Sequence, residues 1–424
     1  MKSKIKSRSE LKGAMNELDT RIYSEEFLKK SREKPEYFTR KRTMPFPLLV
    51  LFMLNMIKSS IQTSLNSFFK ELGAENLHMK QQSFSEARQK IKWNALRELF
   101  MLIVDYIYKG YYDIWQGYRL LAIDGTKIQL PNDPNLKLNF GTLGQNNTAA
   151  TAQASALYDV LNNVIVDAQI APLRSGERKL ALMHLATLCK RPSFDKECVI
   201  FDRGYASFEI IEILKKHGIS FVMRVKKKFN SDIDNLNLGD HKAVLSKQGH
   251  ADICVRALKF SLESGEIECL ITDILENNAE DFKAIYFMRW PIETKYNEIK
   301  NKLEIENFSG RTINAIRQDF FTTMFMSNIV SIACWEAQAD VDKAREEKEN
   351  KYEYQVNVNE AIGTLKDDFI LALLEPNAHK RCKKVKKIIF LLSKSVSPKR
   401  PGRSLQRNKS TRISKFFHNK KSNC

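Results

Sequence analysis

The 424-residue sequence predicts an α/β protein: a mixed sheet with flanking helices, interrupted by a β-strand insertion and preceded by an all-α N-terminal region. Three observations predict it. Apolar residues recur every three and four positions before residue 115. Between residues 116 and 225, hairpin-linked strands give way to helix–strand–helix–strand. Short strand-like runs at 226–281 are then followed by strongly helical sequence.

In chain order, Leu51, Leu54, Ile57, Ile61, Leu65, Phe68, Phe69 and Leu72 form one helical stripe from Pro47, with Gly73 as its C-cap. Ser83 suits the N-cap of SFSEARQKIKWNALRELF, with Glu86 completing a capping box. That helix carries Arg88, Lys90, Lys92 and Arg97, which read as a small DNA-binding domain or as solvated surface charge. RLLAIDGTKIQL is an apolar strand ending at Asp124, and ASALYDVL and NVIVDAQIA form a hairpin around Asn162 and Asn163. Ser175 caps the helix SGERKLALMHLATLCK. CVIFDRGYASFEIIEILKKHG reads as strand, loop and helix closed by Gly218, and ISFVMRV as a strand. HKAVLSKQ, ADICVRALKFSL and EIECLITDI are short strands. FKAIYFMRWPIETKYNEIKNKLEIE, RQDFFTTMFMSNIVSIACWEAQADVDKAREEKEN and KDDFILALL are helical. The chain thus divides into a helical DNA-binding region at 1–115 and a sheet domain at 116–345 with its insertion at about 226–281. A C-terminal helical region at 346–396 and a basic tail at 397–424 follow.

Lys and Arg total 69 against 50 Asp and Glu, and the excess of +19 points to a polyanion: nucleic acid first, anionic membrane second. The last 45 residues, from Lys380, hold 16 Lys or Arg and no acid, leaving +3 for the other 379. Ser397–Cys424 is too charged to bury an apolar core, so it is expected to be disordered in isolation. It reads as a nucleic-acid contact or as a solubilising tail. MKSKIKSRSELKG lacks the apolar region of a signal peptide. The run from Met44 to Ile57 has 14 residues and two prolines, short of the roughly 20 that a membrane span needs. Seven scattered cysteines without a CxxC pair argue against a disulfide scaffold or a zinc ribbon, and a reducing cytoplasm is expected.

Asp124 follows the apolar run LLAI and Asp202 follows CVIF. Strands apolar on both faces are central, and a carboxylate ending one is costly unless it is paired or binds a cation. Neighbouring strands lie about 5 Å apart, so the two could share a divalent ion. Each alone reads equally as an ordinary strand-end acid. Tyr286, Arg289, Glu293 and Lys300 would share an arc of about 60° on one helix, a poor core face but suited to a metal and a phosphate together. Solvated ion pairs are the other reading of that face. Pro291 kinks this helix or starts it near Trp290, and the second case leaves Tyr286 and Arg289 on a preceding turn.

AIDGT, VIFDRGY and the series Tyr286, Arg289, Glu293, Lys300 resemble the DDE transposases of bacterial insertion sequences, in the insertion-sequence-four group, over about residues 40–340. The resemblance implies an RNase H-like core with a β-strand insertion, which suits the 91 residues between Asp202 and Glu293. It implies Asp124, Asp202 and Glu293 as catalytic ligands of two Mg²⁺ ions, with Mn²⁺ as a substitute. Tyr286, Arg289 and Lys300, with Arg203 beside Asp202, are implied to handle DNA. The implied reaction is cleavage at transposon ends and strand transfer by a homodimer. Its partners would be double-stranded DNA, both terminal inverted repeats and target, in a nucleoid setting and with no membrane. A non-catalytic DNA-binding descendant and a non-transposing nuclease of the same fold are the alternatives.

Overall fold

The computed structural model describes residue 8 and residues 10–40, 42–55, 60–74, 76–143, 149–191, 196–346 and 352–399. Helices come first: α1 (Leu11–Ile22), α2 (Glu25–Ser31), α3 (Phe46–Leu54), α4 (Ile61–Glu71), α5 (Gln81–Gln89) and α6 (Asn94–Lys109). Then come β1 (Tyr118–Gln129), α7 (Pro134–Phe140), β2 (Thr151–Asp159), β3 (Val164–Pro172), α8 (Glu177–Leu188), β4 (Lys196–Phe201), α9 (Phe208–Lys216) and β5 (Ser220–Val225). The short α10 (Ser231–Asp234) precedes β6 (Gly239–Leu245), β7 (Ile253–Ser261) and β8 (Ile267–Thr272). The chain closes with α11 (Ala279–Phe287), α12 (Pro291–Asn301), α13 (Ile313–Arg345), β9 (Tyr354–Val356), α14 (Val358–Leu373), α15 (Ala378–Lys394) and β10 (Val396–Pro398). Two compact units result: Met1–Tyr112, Ile128–Thr151 and Glu298–Cys424 in the first, Asp113–Lys127 and Ala152–Asn297 in the second.

The first unit is helical. Its axis is α13, buried without a break from Phe320 to Ala333, which suits a core helix with no polar face. Trp93 stacks on Phe321, with ring centroids 5.5 Å apart. Arg88 is a pin here, not a DNA contact: it is 2% exposed and donates to Gln318, Ser309, Ala315 and Asp319. The single helix expected from Ser83 is two, because the backbone between them bonds elsewhere. Ile91 bridges to Arg32, Lys92 N–H donates to Ser31, and Trp93 N–H to Asn314. Helix α5 starts before Ser83, at Gln81, whose N–H is capped by Gln62 Oε1 at 2.9 Å. The stripe from Pro47 is likewise two described helices, α3 and α4, and Gly73 closes α4 with a φ of 65°. The tail expectation falls almost wholly outside the described residues; Ser397 and Pro398 pair with Gln355 and Tyr354.

The second unit is built on a sheet of order β3-β2-β1-β4-β5-β8-β7-β6. Strands β1, β4 and β5 run parallel, and β2 with β3 is an antiparallel hairpin turning at Asn163, with a φ of 53°. This is the expected RNase H-like mixed sheet. The β-rich stretch continues it: β8 adds antiparallel to β5, then β7 and β6 follow. Gly176, with a φ of 71°, precedes α8, whereas Ser175 ends a 3-10 turn and is not its cap. Among the described residues no helix is long and apolar enough to cross a membrane.

Candidate active site

The site lies in the second unit and begins with strand register. The parallel pairing of β1 with β4 runs to Ala122 opposite Ile200. Two residues on, Asp124 and Asp202 come level on neighbouring strands. Asp124 is not at its strand's end, as expected, because β1 continues to Gln129; what ends there is its partner, β4, at Phe201. The polar stretch of β1 starts where that neighbour stops.

Asp124 is held through its main chain. Its carbonyl accepts from Ser155 Oγ at 3.0 Å and from Tyr296 Oη at 2.6 Å. Ser155 begins a buried chain: its Oγ lies 3.0 Å from His184 Nε2, and His184 Nδ1 lies 2.7 Å from Asp167 Oδ2. These three come from β2, α8 and β3 and are at most 1% exposed. Burial lifts the Asp124 carboxyl to about 6, with Glu293 and Glu177 adding to the lift and the Gly125 N–H and Arg289 opposing it.

Asp202 gathers its partners on one oxygen. Oδ1 accepts from the Arg203 N–H at 2.7 Å and from Tyr286 Oη at 3.1 Å, and Arg224 NH1 stands 4.0 Å away. Tyr286 is 4% exposed; burial, then Asp202, pushes its hydroxyl up to about 12, so it stays a donor. Arg203 itself is exposed.

Glu293 lies in the first turn of α12. The chain between Tyr286 and Glu293 is not one continuous helix. Helix α11 ends at Phe287, and Pro291, which lacks an N–H, opens α12. Arg289 sits in the turn between them, so the expected single stripe does not form. From that turn it reaches Asp124 at 3.9 Å and Glu293 at 3.4 Å. Burial works against its charge, but Asp124, Asp202, Tyr286 and Glu293 outweigh it and raise the guanidinium pKa. Lys300 lies in the last turn of α12 and belongs to the first unit.

Among the described residues, no three acidic, histidine or cysteine side chains stand close enough to surround one ion as they lie. Arg289 holds the carboxylates in its place. The donor set nevertheless suits a hard divalent cation, being all oxygen. Two buried polar atoms at the site, Tyr205 Oη and Arg289 Nε, have no hydrogen-bond partner.

Sequence reasoning missed Glu177, Tyr205, Arg224 and the Ser155–His184–Asp167 chain. Asp167 alone carried a signal, an acid inside the apolar run NVIVDAQIA.

A family model described as a transposase DDE domain matches residues 115–329, just over half the chain. The protein InsZ of Escherichia coli K12 is 28% identical over 110 residues, covering 25% of this chain and 35% of InsZ. The transposase InsG for insertion sequence element IS4, also from Escherichia coli K12, is 21% identical over 314 residues, covering 69% of this chain and 70% of InsG. Among solved structures, the piggyBac transposase synaptic complex with hairpin DNA aligns with a TM-score of 0.42 and 11% identity, covering 92% of this chain and 84% of that one.

Proposed function

The chain belongs to the transposase DDE-domain family, and from that premise we propose that it cuts DNA at the ends of a mobile element and joins those ends to target DNA. Asp124, Asp202 and Glu293 are the catalytic carboxylates. The observation that carries the reading is the level register of Asp124 and Asp202, with Arg289 linking Asp124 to Glu293. The family depends on divalent metal. Here the three carboxylates would hold two Mg²⁺ ions, or Mn²⁺, which lower the pKa of the attacking hydroxyl and neutralise charge on the leaving oxygen.

The chain's own groups do the positioning. Ser155 and Tyr296 fix the main chain of Asp124. Tyr286 and the Arg203 N–H bind one oxygen of Asp202, which leaves Oδ2 to a cation. Arg289 and Lys300 anchor phosphates, Arg289 once its acids are neutralised. The Arg203 side chain, being exposed, meets the DNA backbone. The helical region 1–115 binds the terminal inverted repeats, and the basic segment after Ser397 adds sequence-independent phosphate contacts. Two copies pair two ends, in the cytoplasm at the nucleoid.

The test is cleavage and joining of a plasmid carrying the element's ends with Mg²⁺. Asp124→Ala, Asp202→Ala and Glu293→Ala should each lower cleavage by about 10³-fold or more, the worth of several kcal/mol of charge stabilisation, and leave DNA binding largely intact. Near-normal cleavage by any of the three removes that residue from the triad. Binding without metal-dependent cleavage by the unaltered chain would mark a non-catalytic relative, and cleavage without joining a nuclease.

A further inference from the structure

We propose that Glu177 is a fourth carboxylate of this site and binds a divalent cation together with Asp124 and Asp202. The inference rests on the metal-dependent reading above and adds a residue to it.

Helix α8 is fastened over the segment that carries Asp202. Arg178 donates from Nε to the Gly204 carbonyl at 3.1 Å and from a terminal nitrogen to the Ala206 carbonyl at 2.9 Å. Its neighbour Glu177 is thereby held against both aspartate-bearing segments. A methyl group on Gly125, the residue after Asp124, would stand 3.5 Å from Glu177 Cγ. One on Gly204, two residues after Asp202, would stand 3.6 Å from Glu177 Oε2. Both neighbours are glycines, so no side chain separates the Glu177 carboxylate from either backbone.

A second observation points to a ligand. Tyr205 is 2% exposed and its hydroxyl has no hydrogen-bond partner, although buried hydroxyls nearly always have one. The charges acting on it are Asp124, Glu177, Arg289 and Asp202. The group that satisfies it therefore belongs among those carboxylates. The charge balance asks for the same thing. Asp124, Asp202, Glu293 and Glu177 face Arg289, while Arg224 also serves Glu266 and Glu268. Four carboxylates against one dedicated guanidinium are short of positive charge, and divalent cations supply it with oxygen-only coordination.

The experiment is isothermal titration of the full chain with Mn²⁺ in the absence of DNA, on the unaltered protein, Glu177→Gln, Glu177→Asp and Asp124→Asn, with thermal melts in EDTA beside it. Glu177→Gln should weaken Mn²⁺ binding about ten- to hundredfold, Glu177→Asp should restore part of it, and the EDTA melt of Glu177→Gln should match that of the unaltered chain. Unaltered Mn²⁺ affinity and stoichiometry in Glu177→Gln, with Asp124→Asn weakened, would overturn the assignment of Glu177 alone. Unaltered binding in both variants would overturn the metal-site reading as a whole. Equal loss of Mn²⁺ affinity and of EDTA melting temperature in Glu177→Gln, unrepaired by Glu177→Asp, would make Glu177 a structural cap of α8 and overturn its role as a ligand.

Discussion

Two arginines, one in each unit, are buried to nearly the same degree beside acids and are built for different work. The Arg88 side chain is 3% exposed and that of Arg289 8%. Arg88 donates from all three nitrogens at 2.7–2.9 Å, to Gln318, Ser309 and Asp319. Arg289 has two ion pairs, at 3.4 and 3.9 Å, and a buried Nε with no partner. A saturated cation fixes the elements it joins, because any movement strands a buried charge. An under-bonded cation among partly exposed acids can change partners at little cost. The first arrangement suits a joint between helices, the second a site whose acids must accept new ligands.

The sharpest way to break this comparison is to truncate both side chains. Arg88→Ala strands Asp319 and Gln318 in the interior and should cost about 3–5 kcal/mol of stability, read as a large fall in melting temperature. Arg289→Ala should cost less than half of that, because water reaches the carboxylates it leaves, whose side chains are 23–34% exposed. Its effect should fall on the reaction instead. Losing a charge-assisted phosphate contact worth about 1.5–3 kcal/mol lowers cleavage roughly ten- to hundredfold. A melt as low as that of Arg88→Ala, with normal cleavage by the folded protein, would make Arg289 a second structural pin.

The same contrast separates what the sequence exposed from what it hid. Asp124 and Asp202 were legible because each follows a run of residues apolar on both faces, and strand alternation puts such runs inside a sheet. Pro291 was legible as a helix start because its missing N–H is harmless only there. Arg88 was misread, since its partners lie more than 220 positions away in sequence, and a surface cation and a buried one look alike in one dimension. Glu177 and Tyr205 were hidden for a related reason. They reach the site only because α8 and the segment after β4 fold over the two aspartates, and local periodicity does not report that. The strand order β5-β8-β7-β6 is equally non-local: the runs were visible, their partners were not.

The smallest expected effect concerns the charge of Asp124 itself. Its carboxyl is raised from an ordinary 3.8 to about 6, mainly by burial. A raised folded-state pKa means that the folded chain holds its proton more tightly than the unfolded chain does. Between about pH 4 and 6 the folded state therefore binds more protons, and stability falls as pH rises through that window. Below it the contribution is fully present; above pH 6 it is gone. Asp124→Asn removes the charge while keeping an oxygen acceptor for the Gly125 N–H. In EDTA at pH 8 it should stabilise the chain, by on the order of 2 kcal/mol at most, and at pH 4 it should make no difference. Melts of both proteins at the two pH values measure it. A variant less stable than the unaltered chain at pH 8 would mean that the Asp124–Arg289 pair outweighs burial. Arg289 would then be bound as tightly as Arg88 is, and the distinction between the two arginines would fail at the carboxylate it depends on most.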